Sequence, residues 1–226
     1  MPKPSKHGSK QSRVVQLSKA MARLLRHDLE NAKIPFDPSG GWVKVVDMLN
    51  LSRFRHIDPP ATVEDVLHVV DTNFKKRFAC KGDPSDPFSF FVRANQGHSI
   101  AAIKTDGLLV PITAENIAQF PMCLHGTTLE AWPKIKVSGL NRMSRNHIHM
   151  AAGLPRKDSN VVSGIRHTSK IIVYIDLPRA IGAGIPFFRS ENNVILSPGP
   201  IGPEFFAKAE QLQKGGRTWS CPLNDQ

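Results

Sequence analysis

The feature that most constrains this chain is a change of apolar rhythm near Asn95. Before it, apolar residues return every three or four positions; after it, they come in short runs between turns. Val14, Leu17, Met21, Leu24 and Leu25 predict a helix starting at Val14 and ending with Arg26 and His27. Its other side carries Lys19, Arg23 and Arg26 as a cationic stripe. Asp37-Pro38-Ser39-Gly40-Gly41 reads as a turn. Residues 42–51 read as a short strand or turn and then a helix carrying Val45, Val46, Met48 and Leu49. Asp58-Pro59-Pro60 breaks that helix, and Thr62-Val63-Glu64-Asp65 resembles a capping box. The helix that follows offers Val66, Leu67, Val69 and Val70 to a core. Strand-like stretches at 77–80 and 88–94 flank the turn Lys81-Gly82-Asp83-Pro84. Three helices followed by a β-hairpin is the order of a winged helix.

Beyond Asn95, strands are predicted at 108–112, 122–125, 146–150, 171–176 and 194–196. One helix is predicted over 128–137, stopped by Gly139, with Pro133 placed to shift its start. The fold class is therefore α+β: an N-terminal winged-helix lobe and a C-terminal, mainly β lobe. The expected boundaries are a disordered basic tail over 1–13, the first lobe over 14–103, the second over 104–213, and a loose tail over 214–226.

Composition narrows the function. Lys and Arg number 30 against 19 Asp and Glu, a formal net charge of +11. Seven of the cations, from Lys3 to Arg26, precede the first acidic residue, Asp28. Such an excess favours a polyanionic partner. Cys80, Cys123 and Cys221 are too few and too scattered for a disulfide framework or a CxxC metal site. No apolar run is long enough to span a membrane, and no signal-like segment opens the chain. A soluble intracellular monomer, cytoplasmic or nuclear, is expected.

Six segments carry candidate chemistry. Arg26-His27 pairs a permanent bidentate phosphate grip with a group that titrates near neutral pH, although such a pair at a helix C-terminus also suits the helix dipole. Lys75-Lys76-Arg77-Phe78 enters a strand and could equally be a solvated basic turn. Asn95-Gln96-Gly97-His98-Ser99 is a polar run whose glycine permits close backbone approach. His125-Gly126-Thr127 follows an apolar strand and could present an imidazole and a hydroxyl. In Ser144-Arg145-Asn146-His147-Ile148-His149, an extended backbone puts Arg145, His147 and His149 on one face. A His-x-His pair invites a metal, but no further ligand stands at a usual spacing, so a polar face lining a cleft is the preferred reading. Phe187-Phe188-Arg189-Ser190-Glu191-Asn192-Asn193 sets two aromatics before a polar turn. The chain has no P-loop and no G-x-G-x-x-G after a strand, which leaves P-loop phosphoryl transfer and Rossmann hydride chemistry without support.

Taken in order from about Val15 to Leu196, these segments together with Gln16-Leu17-Ser18-Lys19-Ala20 resemble the RNA 2′-phosphotransferase family of the KptA type. The resemblance implies a winged-helix RNA lobe followed by a lobe similar to ADP-ribosyltransferases. It implies NAD as a consumed co-substrate, no metal, and RNA with an internal 2′-phosphate, a tRNA-splicing intermediate, as substrate. Its catalytic set maps to Arg26, His27, Arg77 and Arg145. Its NAD contacts map to His125, Gly126 and Thr127, and the same pocket implicates Ser144, His149, Ser190 and Asn193. Lys19, Arg23, Lys76, Gln96 and His98 are the expected RNA contacts.

The implied products are 2′-hydroxyl RNA, ADP-ribose 1″,2″-cyclic phosphate and nicotinamide. Two rivals compete with that expectation. One is an ADP-ribosyltransferase acting on nucleic-acid phosphate ends; the other is a winged-helix RNA-binding protein without catalysis.

Overall fold

A computed structural model describes residues 10–104, 108–154, 165–166, 168–212 and 218–221. The protein mixes helices with two antiparallel sheets. It divides into two compact units that meet in sequence between Lys104 and Thr105.

The first unit opens with α1, Lys10–Arg23. It starts earlier than Val14, so residues 10–13 belong to a helix and not to a disordered tail; residues 1–9 lie outside the described residues. Lys, Gln and Arg are good helix formers without being apolar, so core periodicity misses them. Arg13 also ties this turn down. Its Nη2 lies 2.6 Å from Asp65 Oδ2, and its Nη1 donates to the Pro59 carbonyl at 2.6 Å.

The helix does not stop at His27. A π-turn, Leu24–Asp28, follows, then α2, Leu29–Ala32, closed by Lys33 with φ 54°. Spacing explains the wide turn. In a regular α-helix, Met21, Leu24 and Leu25 make position 28 the next inward one. Asp28 stands there. The extra residue of a π-turn delays the inward position to Leu29, which is fully buried with Leu24 and Leu25. Asp28 turns outward instead, bonds Asn31 and pairs with Arg53.

A short strand β1, Val43–Lys44, leads into α3, Val45–Leu49, and α4, Ser52–Arg55. Then comes α5, Val63–Thr72, opened by the predicted capping box: Thr62 Oγ1 accepts from the Asp65 amide, and Asp65 Oδ2 accepts from the Thr62 amide at 3.0 Å. Strands β2, Phe78–Lys81, and β3, Phe91–Ala94, form the hairpin, with Phe78 opposite Ala94; β1 joins the other side of β3. Leu17, Met21, Met48, Phe54, Val66, Val69 and Phe90 fill the core.

The second unit is built on an eight-stranded antiparallel sheet. In chain order its elements are β4 Leu109–Ile112, β5 Leu124–Thr127, α6 Trp132–Ser138, β6 Ile148–Ala151, β7 Ile171–Ile175, α7 Leu177–Gly182, β8 Phe187–Ser190, β9 Val194–Ser197, β10 Phe206–Leu212 and β11 Thr218–Cys221. The spatial order is β11-β10-β7-β5-β6-β9-β8-β4. Helix α6 starts later than predicted because Pro133 sits in its first turn, the place where a missing N–H costs least.

Sequence reasoning missed β8, α7, β10 and β11. In β10 a register shift between Phe206 and Lys208 spoils the two-residue alternation that would announce a strand. The expected loose tail is corrected too: residues 218–221 pair with β10, Ala209 lying opposite Cys221.

One junction of this sheet is thin. Strands β5 and β6 share the single pair Leu124 and Ala151, both fully buried, and part beyond it. Every other neighbouring pair of strands is held by two or more.

Candidate functional site

In the first unit, three of the predicted motifs converge on the run 95–99. Asn95 is buried and spans to the basic turn. Its amide donates to the Arg77 carbonyl at 2.9 Å, and its Nδ2 donates to the Lys76 carbonyl at 2.9 Å. That leaves Asn95 Oδ1 as a buried acceptor that takes no hydrogen bond from the described residues. Lys76 adopts φ 40°, a conformation that L-residues seldom take, and the carbonyl grip of Asn95 helps hold it there. Arg77 is half-buried, and its Nη1 donates to Asn73 Oδ1 at 3.3 Å. Burial lowers the Arg77 pKa from its ordinary value, yet a guanidinium keeps its charge at any working pH.

Two residues further on, Gly97 meets Arg26. At φ +91°, a Cβ on Gly97 would stand 3.4 Å from Arg26 Nε and 3.5 Å from Cζ. The guanidinium lies against the glycine backbone, the close approach expected from the sequence. The Ser99 amide donates to the Arg26 carbonyl at 2.9 Å, and Ser99 Oγ is 2.9 Å from His27 Nδ1. Arg26 and His27 ride on the last turn of the π-helix, and Asp28, at φ −135°, separates it from α2. Gln96 and His98 are buried at 7% and 4% exposure, so their side chains belong to the inside of this run and not to its surface. Lys19 and Arg23 stand exposed on α1. Sequence reasoning missed Asn73, and its spacing to Arg77 carries no signal that a turn of this shape would form.

In the second unit the candidates surround the parted strands. His125 on β5 donates from Nδ1 to the His149 carbonyl at 3.0 Å; His149 on β6 donates from Nδ1 to the His147 carbonyl at 3.0 Å. A carbonyl only accepts, so both rings carry a proton on Nδ1. Burial pushes the His125 pKa below its ordinary 6.5, its bond to His149 opposes this, and Arg166 pushes the same way as burial. His147 is lowered as well, by burial and then by Arg142; its ring meets the edge of Phe188, centroids 6.2 Å apart. Burial thus disfavours the charged form of both His125 and His147.

Gly126 leaves no room for a side chain. A Cβ there would stand 2.6 Å from Ile165 Cγ2 and 2.7 Å from Ser169 Oγ. Thr127 is buried, and its carbonyl accepts from the Lys170 amide at 2.8 Å. Arg145 is half-buried, its pKa lowered by burial and then by Arg166; the Arg142 guanidinium donates to its carbonyl at 3.0 Å. Ser144 beside it is exposed. The Ser190 hydroxyl is engaged inside the β8–β9 turn. It lies 2.8 Å from Asn192 Oδ1, and it accepts from the Val194 amide at 3.0 Å. Asn193 tops that turn at φ 63°. Ser190 thus shapes the turn, and the Asn193 amide donates to the Ser190 carbonyl at 2.9 Å. Arg142 and Arg166 escaped sequence reasoning because neither lies in a patterned run. Among the described residues, no group of three or more His, Cys, Asp and Glu could hold a metal ion. Nor is any described helix long and apolar enough to cross a membrane.

Comparison with known proteins agrees with the resemblance. A family model described as RNA 2′-phosphotransferase, Tpt1 / KptA family, matches residues 12–199, and the chain belongs to this family of transferases. It is 44% identical over 208 residues to the protein named tRNA 2′-phosphotransferase 1 of Homo sapiens, covering 90% of this chain and 78% of that one. The tRNA 2′-phosphotransferase of Saccharomyces cerevisiae is 38% identical, over 83% of this chain and 80% of its own. A bacterial relative, the probable RNA 2′-phosphotransferase of Rhizobium rhizogenes, is 35% identical over 80% of this chain and 87% of its own.

Proposed function

We propose that this chain is an NAD-dependent RNA 2′-phosphotransferase. It removes the internal splice-junction 2′-phosphate from ligated tRNA and yields 2′-hydroxyl RNA, ADP-ribose 1″,2″-cyclic phosphate and nicotinamide. The observation that carries this reading is the linkage in the first unit: Arg26 and His27 on a π-turn, Lys76 and Arg77 on a strained turn, and the run 95–99 bonded to both. Family membership and the names of the relatives support the same chemistry. On this reading the first unit is a winged-helix RNA lobe and the second an ADP-ribosyltransferase-like lobe that takes NAD.

The second unit's residues suit such a co-substrate. His125, whose charged form burial disfavours, can offer Nε2 to a ribose hydroxyl, His149 lies beside it on β6, and Arg145 offers a fixed charge to a phosphate. Gly126 and Thr127 hold the strand end, Ser190 sets the turn that carries Asn193, and Ser144 is exposed next to Arg145.

In the first step the RNA 2′-phosphate attacks the anomeric carbon of the nicotinamide ribose. The glycosidic bond breaks and nicotinamide leaves. A phosphate is already an anion, so no strong base is needed. Repulsion between two polyanions is the obstacle, and fixed guanidiniums such as Arg26 and Arg77 of the first unit offset it without ever losing charge. Orientation can supply roughly 7–11 kcal/mol of a barrier. In the second step the ribose 2″-hydroxyl attacks phosphorus, and the bond to the RNA 2′-oxygen breaks. Guanidiniums stabilise the crowded, charged transition state. His27, steadied by Ser99, moves the proton or holds the phosphate.

The test is to incubate the protein with a short RNA bearing one internal 2′-phosphate, with and without NAD, and to follow the phosphate. NAD-dependent transfer into a cyclic phosphate is expected. A stable ADP-ribosyl adduct on the RNA would favour the rival transferase, and phosphate loss without NAD would overturn the proposal.

A further inference from the structure

We propose that a recess between α1 and α5 of the first unit is a stacking subsite for one unpaired nucleotide of the RNA. The inference rests on the function proposed above and adds a place for a base. The recess encloses about 520 Å³, within the range of small-molecule sites. Phe74 is among its lining residues and is 78% exposed; Val15, also lining it, is 48% exposed. A lone exposed Phe is ordinary on a protein surface. This one borders a concavity whose lining also includes Lys19 and Arg77 and no carboxylate. An aromatic face beside fixed cations is the arrangement that takes up single-stranded nucleic acid: the base stacks, the cations follow its backbone, and sequence matters little.

The floor is built to hold its charge in place. Asn73 Nδ2 donates to Ser18 Oγ at 3.3 Å, while Asn73 Oδ1 accepts from both the Arg77 amide and Nη1 at 3.3 Å. One side chain thus ties α1 to the basic turn and aims the guanidinium. Arg77 lines the recess and also belongs to the proposed phosphate grip. A nucleotide next to the 2′-phosphorylated one is therefore the occupant that the chemistry favours. An apolar peptide could cover Phe74 and Val15, but it would leave Lys19 and Arg77 without a counter-charge.

The experiment uses the full chain and a short single-stranded RNA with one internal 2′-phosphate and a fluorescent end label. Anisotropy gives Kd for wild type, Phe74→Ala and Phe74→Trp at one fixed salt concentration. Phe74→Ala is expected to raise Kd about thirtyfold, the middle of the range for one lost base stack. Phe74→Trp is expected to restore binding and to gain an emission signal that RNA quenches. Thermal melting of each variant checks folding, and an exposed side chain should leave it unchanged. Lys19→Ala should reduce the salt dependence of binding by about one phosphate contact. If Phe74→Ala melts and binds like wild type, or if emission from Phe74→Trp ignores the RNA, the subsite does not exist. Failure of the function proposed above reads differently: wild type would then release no 2′-phosphate with NAD, whatever Phe74 does to Kd.

Discussion

The two units organise their polar groups in opposite ways. In the first, fixed cations are aimed by amides: Asn73 holds Arg77, Asn95 holds the turn before it, and Gly97 makes room for Arg26. In the second, the focus is a pair of imidazoles that each donate to a carbonyl, at the place where β5 and β6 part, with burial disfavouring the charged form of His125. The contrast teaches a division of labour by charge. A polyanion is best met by groups that cannot titrate, whereas sugars are best met by neutral donors and acceptors that demand little desolvation.

Removing charge from the first unit should have the largest effect. Arg26→Ala and Arg77→Ala are expected to slow turnover on the order of 10²–10³-fold, the range seen when one preorganised donor to a transition state is deleted. Arg77→Lys should recover little, since lysine lacks the bidentate fork. Steady-state kinetics beside thermal melts would check this; parallel loss of stability and activity would mean that the cations hold the fold and do not act on substrate. Arg145→Ala asks whether the second unit's fixed charge matters as much, and a comparable loss of turnover is expected.

The glycines sharpen the contrast next. Gly126→Ala drives a methyl into Ile165 and Ser169 and should destabilise the protein by about 1–3 kcal/mol. Gly97→Ala strains a backbone at φ +91° and presses on Arg26, so activity should fall further than stability does. Denaturant melts and rates measured on the same two variants would decide, and the reverse ranking would contradict the assignment.

Acid should separate the units more gently. His125 and His147 have depressed pKa values, so below 6.5 the unfolded chain takes up protons that the native second unit refuses. Stability then falls as pH drops below 6.5, by up to about 1.4 kcal/mol per pH unit for each fully depressed histidine. Asp28 and Asp65 in the first unit are depressed by Arg53 and Arg13; their contribution is complete above 3.8 and is lost only as pH falls through their lower native values. Hydrogen exchange at pH 5.5 should show β5–β7 loosening before α1 and α5. Simultaneous loosening would remove the distinction, and His125→Asn should flatten the acid slope. Smallest of all, Arg13→Ala should cost about 1 kcal/mol through loss of its tie to Asp65, visible as a modest fall in Tm.

Much of this was legible in the sequence because it follows local rules. The capping box at Thr62, the alternation of apolar runs after Asn95 and the stop at Gly139 each depend on neighbours in the chain. The candidate motifs stood out because Arg, His and Gly cluster where apolar runs end. What stayed hidden depends on partners far away. The start of α1 at Lys10 is secured by Asp65, which no local pattern reveals. Strand β10 escaped because its register shift erases the alternation, and the role of Asn73 exists only once α1 and the basic turn are folded. Ser190 shows the converse case: a motif residue whose hydroxyl serves the turn it belongs to.

The π-turn at Leu24–Asp28 has a consequence for how such a chain can drift. Taking one residue out of it would leave a straighter, more regular helix, with its carbonyls and amides in ordinary register. It would also rotate every side chain downstream by about a hundred degrees relative to those upstream. Arg26, or whatever then stood in its place, would lose its seat over Gly97. A mutation that improves the helix by every local measure would thus misdirect the residues that it carries, and the irregular turn persists as a kind of aiming sight.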